Sequence, residues 1–286
     1  MPTPRCDFGI AVYMNKIYCI GGYSNRSLNV NEVYDSTTDS WSTLSPLPIP
    51  GVITASEVNG KTVVLTIEPG TLTAVTQVYD PSTDSWEIMS PMPTAATFFG
   101  SIVVDNIIYV FGGGHYEAVF TFIPTNAVQI YNLTSNTWRY GAPLPVDMQS
   151  PAVAATSGVY APKRIYVLGG SDFQYLPYNY VYDPITDTWN NATQMPYPRS
   201  SFGVAIVDDV LYAIGGNGRT NGVIPVDLTE KYVPISYVGP EIPELPSILF
   251  VGILITISSL MAIILTNRRN KRQYKTDMFN HSKSKN

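Results

Sequence analysis

One pattern occurs four times in the chain: YDSTTDSW at 34–41, YDPSTDSW at 79–86, YNLTSNTW at 131–138 and YDPITDTW at 182–189. In every copy a tyrosine precedes a tryptophan by seven residues, and successive tryptophans are 45, 52 and 51 residues apart. The four pairs are Tyr34 and Trp41, Tyr79 and Trp86, Tyr131 and Trp138, and Tyr182 and Trp189. A period near 50 residues with strand-rich units is typical of a propeller.

A second recurring feature is an apolar strand that ends in two glycines, as in IYCIGG, IYVFGG, IYVLGG and LYAIGG. The pairs are Gly21 and Gly22, Gly112 and Gly113, Gly169 and Gly170, and Gly215 and Gly216. Because glycine has no Cβ, two in succession predict a corner where other backbone or aromatic rings approach closely.

The segment between each tyrosine and tryptophan predicts a tight turn, because Asp accepts local backbone hydrogen bonds and Pro fixes φ. The tyrosine and the tryptophan then lie on the two outer strands of one hairpin, where we expect them to cover the face that meets the next blade. The spaced pairs Asp35/Asp39, Asp80/Asp84 and Asp183/Asp187 also suggest calcium. A role in building the turn explains all three Asp pairs and also the pair Asn132/Asn136, which stands at the same position. We therefore predict no metal.

These features resemble the kelch repeat, whose signature is a double glycine, then Tyr-Asp, then Trp. The resemblance covers about residues 1–235 and implies an all-β propeller of four-stranded blades, which we place at 1–238. Strand b ends at the glycines and the turn joins c to d. The blades are expected at 5–48, 49–93, 94–145, 146–196 and 197–238. The second has TVVLTIEPG and no double glycine. In the fifth, Tyr232 predicts a tryptophan at Gly239, so strand d is absent or irregular.

The ends of the propeller raise a question of closure. MPTPRCDFGIAV at the start matches MPYPRSSFGVAI at 195–206, so the chain starts at a blade junction, and no secretion signal precedes it. Kelch propellers usually have six or seven blades. Two explanations are open: an N-terminal portion with a signal and further blades is missing, or the protein is an intact five-bladed one.

The C-terminal part predicts a membrane anchor. No charged residue occurs from Leu245 to Asn267, and about 20 apolar residues span a bilayer as a helix. We expect a Pro-rich spacer at 239–246, a transmembrane helix at 247–266 and a basic cytoplasmic tail at 267–286, with the propeller outside the cell. The spacer PEIPELPS resembles stalks of archaeal cell-surface proteins.

Composition limits the function classes. The chain has 286 residues, two Cys, two His and a formal net charge of −5. This charge combines −11 up to Thr266 (10 basic, 21 acidic) with +6 beyond it (7 basic, 1 acidic). An acidic exterior argues against nucleic acid as a partner. Copper-radical oxidases of this fold need two His, whereas only His115 precedes the anchor. We therefore predict no metal and no cofactor.

Binding is predicted at the end of the propeller that carries the b–c loops and the d–a connectors, because variable loops on a rigid scaffold commonly bind. The candidates are aromatic and arginine residues, namely His115, Tyr116, Phe173, Tyr175, Arg199 and Arg219. Packing of these loops on the blades is the alternative. If the propeller is exported, Asn25, Asn132 and Asn191 are candidate glycosylation sites.

The sequence thus predicts a membrane-anchored extracellular module that binds a surface protein or a glycan. The alternative is a carbohydrate-active enzyme, an epimerase or lyase that uses the axial pocket. The inner strands FGIAVY, FFGSIVV and FGVAIV carry no charge, which favours binding over catalysis.

Overall fold

A computed structural model describes residues 1–51, 53–68, 71, 73–118, 121–218 and 224–240. The first two blades are four-stranded antiparallel sheets in sequence order. Blade 1 consists of β1 (Gly9–Tyr13), β2 (Lys16–Ile20), β3 (Asn31–Asp35) and β4 (Ser40–Thr43). Blade 2 consists of β5 (Ile53–Val58), β6 (Lys61–Ile67), β7 (Ala74–Asp80) and β8 (Ser85–Met89).

Blade 3 contains a hairpin inserted between its second and third strands. Its sheet consists of β9 (Gly100–Val104), β10 (Ile107–Phe111), β13 (Val128–Asn132) and β14 (Thr137–Tyr140), and the hairpin of β11 (Gly114–Ala118) and β12 (Thr121–Pro124). Blade 4 consists of β15 (Ala152–Ala155), β16 (Ile165–Leu168), β17 (Asn179–Asp183) and β18 (Thr188–Asn191).

Blade 5 has three strands, β20 (Gly203–Val207), β21 (Val210–Ile214) and β24 (Thr229–Tyr232). A small sheet beside it consists of β19 (Arg199–Ser200), β22 (Asn217–Gly218) and β23 (Ile224–Pro225). The five-bladed all-β propeller confirms the predicted architecture. The inner strands β1, β5, β9, β15 and β20 are neighbours in that order.

The predicted c–d turns are present, and the aspartates build them. Asp80 Oδ1 accepts from the Ser82 N–H at 2.9 Å, while the Tyr79 hydroxyl donates to Asp84 at 2.7 Å. Asp84 has a φ of 49°, which Asp tolerates better than most residues. The Tyr79 and Trp86 rings then face each other across the hairpin, with centroids 5.0 Å apart.

The double glycines end strand b because the chain turns there through left-handed conformations beneath a connector. Gly112 and Gly113 have φ of 64° and 85°. A Cβ on Gly113 would lie 2.5 Å from the Thr97 carbonyl oxygen and 2.9 Å from the Phe99 Cβ. Gly216 meets Ser200 and Phe202 in the same way. Any residue but glycine would therefore clash at Gly113 and Gly216.

Each junction between consecutive blades contains one apolar cluster. The clusters lie between blades 1 and 2 (Ile20, Leu47, Tyr79), 2 and 3 (Val63, Met92, Tyr131), 3 and 4 (Phe111, Leu144, Tyr182), and 4 and 5 (Leu168, Met195, Leu211). In each cluster a Leu or Met from the connector is buried between the blade that it leaves and the blade that it enters.

The outer tryptophan packs against the preceding blade, which corrects the prediction that it meets the next one. The indole N–H of Trp138 donates to the Ser90 carbonyl of blade 2 at 2.9 Å, and Asn136 Oδ1 accepts from the Ser90 N–H at 2.8 Å. The Ser45 peptide after blade 1 makes the same two hydrogen bonds with Trp86 and Asp84 of blade 2. The Ala142 peptide after blade 3 makes them with Trp189 and Asp187 of blade 4. The connector follows strand d of one blade, and its peptide binds the c–d hairpin of the next blade.

Blade 5 departs from this scheme as the sequence predicts. After β24 the chain turns at residues 234–237, and the Val238 N–H donates to the Tyr160 carbonyl of blade 4 at 2.7 Å. Among the described residues no strand pairs with the outer edge of β24. No helix in the described part of the chain is long and apolar enough to cross a membrane. The predicted helix at 247–266 and tail at 267–286 lie outside the described residues, as does most of the spacer.

Candidate binding face

The b–c loops and the d–a connectors meet at one end of the propeller. The Gly113 N–H donates to the Met148 carbonyl at 2.8 Å, and the Gly170 N–H donates to the Arg199 carbonyl at 3.0 Å. In blades 3 and 4 the double glycine therefore contacts the connector of the following blade as well as its own. This network makes the end of the propeller a continuous surface that the blades hold in place.

Three connector residues are joined to one another by hydrogen bonds, and we call Phe98, Ser150 and Ser201 the connector ring. The Ser150 N–H donates to the Phe98 carbonyl at 2.5 Å, and the Ser201 N–H donates to the Ser150 carbonyl at 3.2 Å. All three have left-handed backbones, with φ between 52° and 56°.

Phe98 differs from the other two residues of the connector ring in the size and polarity of its side chain. The connectors that lead into blades 1, 4 and 5 have Asp7, Ser150 and Ser201 at this left-handed position, all small and polar residues. A bulky side chain with positive φ is uncommon and costs about 1–3 kcal/mol in backbone strain. The Phe98 side chain is 50% exposed, so burial does not explain its presence. Strained residues cluster at functional sites, and Phe98 is the residue that inspection of loop composition missed. Alignment of the connectors with one another would have found it.

An aromatic cluster surrounds Phe98. The Phe122 ring of the inserted hairpin makes edge contacts with both Phe98 and Tyr116, at centroid distances of 5.7 and 5.1 Å. Tyr116 and Phe122 are cross-strand partners in that hairpin, which fixes their spacing. Tyr116 is 46% exposed. The cluster thus presents two half-exposed rings supported by a third.

A cavity of about 480 Å³ opens beside this cluster. Its lining is mostly apolar and comes from blades 1 to 3, including Phe8, Leu65, Ile67, Phe98, Phe99 and Tyr116. Asp7 is the carboxylate among the lining residues. Within the part of the chain that the structure describes, no cluster of three His, Cys, Asp or Glu residues is placed to hold a metal. The cavity adjoins blade 2, where Glu68 follows β6 in place of a double glycine.

Comparisons with known proteins agree with this architecture. The KLHDC2/KLHL20/DRC7 Kelch-repeats domain profile matches residues 68–216, and the Kelch motif profile matches residues 4–48. The chain belongs to the kelch-repeat family. It is 35% identical over 127 residues to Kelch-like protein terF of Aspergillus terreus, covering 42% of this chain and 27% of that protein.

Kelch-like protein 40 of Xenopus tropicalis is 27% identical over 238 residues, which cover 80% of this kelch chain and 30% of that relative. The chain therefore spans less than a third of the length of these curated relatives. The solved structure of YjhT superposes with a TM-score of 0.64 at 17% identity, covering 77% of this chain and 75% of that one. This likeness supports the propeller fold.

The predicted loop residues of the kelch propeller fall into two groups. His115 and Tyr116 lie on β11, and both line a small recess next to the main cavity. Phe173 and Tyr175 lie in the b–c loop of blade 4, outside the lining of the cavity. Phe173 is 77% exposed with a φ of 82°, so it is a second strained and exposed aromatic residue at a b–c loop.

Arg199 is placed in the interior of blade 5 and not on the loop surface. Its guanidinium lies 2.8 Å from Glu230, donates to the Ala213 carbonyl and stacks over Phe202. Arg5 makes the matching contacts in blade 1, with Glu32 at 2.7 Å and Phe8 below it. These arginines join the connector to strands b and c. Arg219 lies outside the described residues.

The three candidate glycosylation asparagines differ in exposure. Asn25 and Asn191 are exposed, whereas Asn132 is half-buried and its Oδ1 accepts from the Thr134 N–H at 2.9 Å in the c–d turn. The turn contact of Asn132 is the one that Asp35, Asp80 and Asp183 make in the other blades.

Proposed function

We propose that this kelch propeller binds a partner protein through the face formed by Phe98, Tyr116 and the adjoining cavity. The half-exposed aromatic cluster beside the apolar cavity is the observation that carries the proposal. Aromatic side chains on a rigid support are typical hot spots of protein interfaces, because they bury much area at small entropic cost. The cavity fits an apolar side chain or a short loop of the partner.

Family membership is consistent with this role, since kelch propellers are typically protein-interaction modules. A glycan is the second candidate, because exposed aromatic rings also stack on sugars. The enzyme alternative gains no support from the cavity. Acid–base chemistry on a sugar needs paired titratable groups, and the cavity lining offers Asp7 as its carboxylate.

We further propose that a single membrane helix at 247–266 anchors the propeller outside the cell, with the tail 267–286 in the cytoplasm. The uncharged run from Leu245 to Asn267 and the basic residues directly after it support this orientation.

The two cysteines offer a test of this orientation, because Cys6 is exposed and Cys19 is buried. A membrane-impermeant maleimide should label Cys6 on intact cells. Labelling only after lysis would place the propeller inside.

The binding face is tested by Phe98→Ser, which installs the residue type found at this position in blades 4 and 5. The free energy of unfolding should rise or stay constant because the backbone strain is relieved, while affinity for a captured surface protein should fall about tenfold or more. Tyr116→Ala should act in the same direction. The partner is obtained by cross-linking the full chain on cells, and a glycan array is screened in parallel.

Phe173→Ser is the matched control, because it removes an exposed ring with positive φ outside the cavity lining. It should leave the affinity unchanged if the cavity face alone binds. Unchanged affinity in Phe98→Ser and Tyr116→Ala would remove this face from consideration.

A further inference from the structure

Within the described residues, the third strand of blade 5 has no partner along the edge that is covered in every other blade. In blades 1 to 4 the third strand pairs with a fourth one, for example β17 with β18. In blade 5, β24 pairs with β21 only, and no described residue pairs with its outer side. Thr229 and Lys231 are exposed along it. Unpaired N–H and C=O groups of such an edge can add a further strand.

A cavity of about 150 Å³ lies beside this edge, between blades 4 and 5. Its lining includes Leu168, Thr193, Met195 and Tyr232. The junction of blades 3 and 4 shows what occupies the corresponding place. There Trp189 packs against Tyr182 and Phe111 and donates to the Ala142 carbonyl at 2.9 Å.

The two junctions correspond residue by residue. Tyr182 and Tyr232 both lie near the end of strand c, and Phe111 and Leu168 both directly precede a double glycine. Ala142 and Thr193 both stand two residues before the buried connector Leu or Met. The cavity is therefore the position of a tryptophan side chain that blade 5 does not supply.

We propose that the outer edge of β24 binds an extended segment of a partner polypeptide, whose tryptophan enters the cavity opposite Tyr232. Residues 1–286 contain four tryptophans, and all of them lie on β4, β8, β14 and β18. The segment that follows β24 turns toward Tyr160 instead. None of the four tryptophans of residues 1–286 is therefore free to fill this cavity, and the proposal assigns it to a partner polypeptide. This binding mode is separate from the face around Phe98.

The register of the partner follows from the intact blades. Trp41, Trp86, Trp138 and Trp189 each stand directly opposite the tyrosine of strand c in an antiparallel pair. Six residues after each tryptophan comes the buried connector Leu or Met, followed by Pro. A binding segment of the form Asp-Ser-Trp-x₅-Met-Pro matches both features, and residues 83–93 of this chain provide a ready copy.

The proposal is tested with a fluorescein-labelled peptide of residues 83–93 and the full 286-residue chain in mild detergent. Anisotropy should show saturable binding below about 1 mM, and the Trp86→Ala peptide should bind at least about tenfold more weakly because it leaves the cavity unfilled. Hydrogen exchange should show new protection at residues 229–232 and 190–196. Absence of saturable binding, equal affinity of the two peptides, or protection elsewhere would overturn the proposal.

A grafted chain gives a second, independent readout. In it, residues 233–240 are replaced by a copy of residues 80–91, so that blade 5 carries its own turn and fourth strand. The graft should unfold at a higher temperature and lose peptide binding. Undiminished binding by a folded graft would place the peptide at another site. A dimer of the unmodified chain that the peptide does not dissociate would show that a second copy covers the edge, contrary to the proposal.

Discussion

Two blade junctions, 3–4 and 4–5, are built from equivalent residues except that the second lacks a tryptophan. Both have an apolar cluster and a buried connector residue, Leu144 in one and Met195 in the other. Only the first has a tryptophan that holds the connector peptide of the preceding blade. The comparison shows that the kelch unit recognises a peptide of its neighbour, and that a propeller blade can retain its core without this contact.

The largest expected effect is at the tryptophan of an internal junction. Trp138→Ala removes its packing and the hydrogen bond to Ser90, and should lower the free energy of unfolding by about 3–5 kcal/mol. Trp41→Ala is the matched control, because Trp41 faces the same type of tyrosine but has no acceptor for its indole N–H among the described residues. Urea unfolding followed by circular dichroism should show a clearly smaller loss for Trp41→Ala. Equal losses would mean that the link between blades contributes nothing.

The next effect distinguishes two equivalent glycines. Gly169 and Gly215 have φ of 62° and 67°, so alanine is strained by the backbone to the same extent in both. A Cβ on Gly169 would lie 2.4 Å from the Arg199 carbonyl of the next connector, whereas the nearest atom to one on Gly215 is 3.5 Å away. Gly169→Ala should therefore cost about 1–3 kcal/mol more than Gly215→Ala in thermal or urea unfolding. A greater loss of stability in Gly215→Ala than in Gly169→Ala would contradict the open space around Gly215 in blade 5.

Asp209 links blade 5 to blade 4 because its carboxylate accepts hydrogen bonds from the backbone of blade 4. Burial alone would raise the pKa of this carboxyl, but the N–H groups of Ser157, Tyr160 and Ala161 outweigh that effect and lower its pKa to about 2. A lowered folded-state pKa stabilises the fold above the ordinary value of 3.8, and this contribution is lost as the pH falls toward 2.

Asp209→Asn should therefore lower stability at pH 7 by on the order of 2 kcal/mol, and the difference from the unmodified chain should disappear near pH 2. Melting temperatures measured from pH 7 down to pH 2 provide the check. Asp208→Asn is the control, because Asp208 is the exposed neighbour in the same turn. A difference that persists unchanged to pH 2 would argue against the charge as the cause.

The smallest expected effect is a gain. Leu168 lines the cavity of blade 5 at the position that Phe111 holds in blade 3, where Phe111 contacts Trp189. Leu168→Phe should fill part of the cavity and raise the free energy of unfolding by about 0.5–1 kcal/mol. Phe111→Leu should do the opposite at the filled junction. Destabilisation by Leu168→Phe would show that the site is closed to a larger ring.

The repeat signature accounts for much of what could be predicted. Tyr34 to Trp41 and its copies predict the c–d hairpins, and Gly239 in place of a tryptophan predicts the incomplete fifth blade. The direction of the tryptophan contact was predicted wrongly, because spacing along the chain does not say which neighbouring blade a side chain faces. Arg199 was expected at the surface, yet Glu230 pairs with it from a strand 31 residues later in the chain, a contact that local pattern does not reveal.

The candidate face was predictable only in part. The residues of the loop GHYEAVFTFIPT pointed to Tyr116, since aromatic residues in a variable loop are conspicuous. Phe98 lies in a connector directly before Phe99, and two successive phenylalanines are typical of a buried strand. The exposure of Phe98 depends on the left-handed backbone at that position. The backbone conformation is visible only in three dimensions, although alignment of the connectors shows Phe98 where the others have Asp7, Ser150 or Ser201.

Hydrogen exchange of the free, full chain at the third strands of blades 4 and 5 measures whether the edge of β24 is open. Amides of β24 that do not pair with β21 should exchange rapidly, whereas the corresponding amides of β17, which pair with β18, should be protected at least about a hundredfold more. Equal protection of the two strands in the free chain would show that a fourth strand already covers blade 5, and would contradict the difference between the two blade junctions.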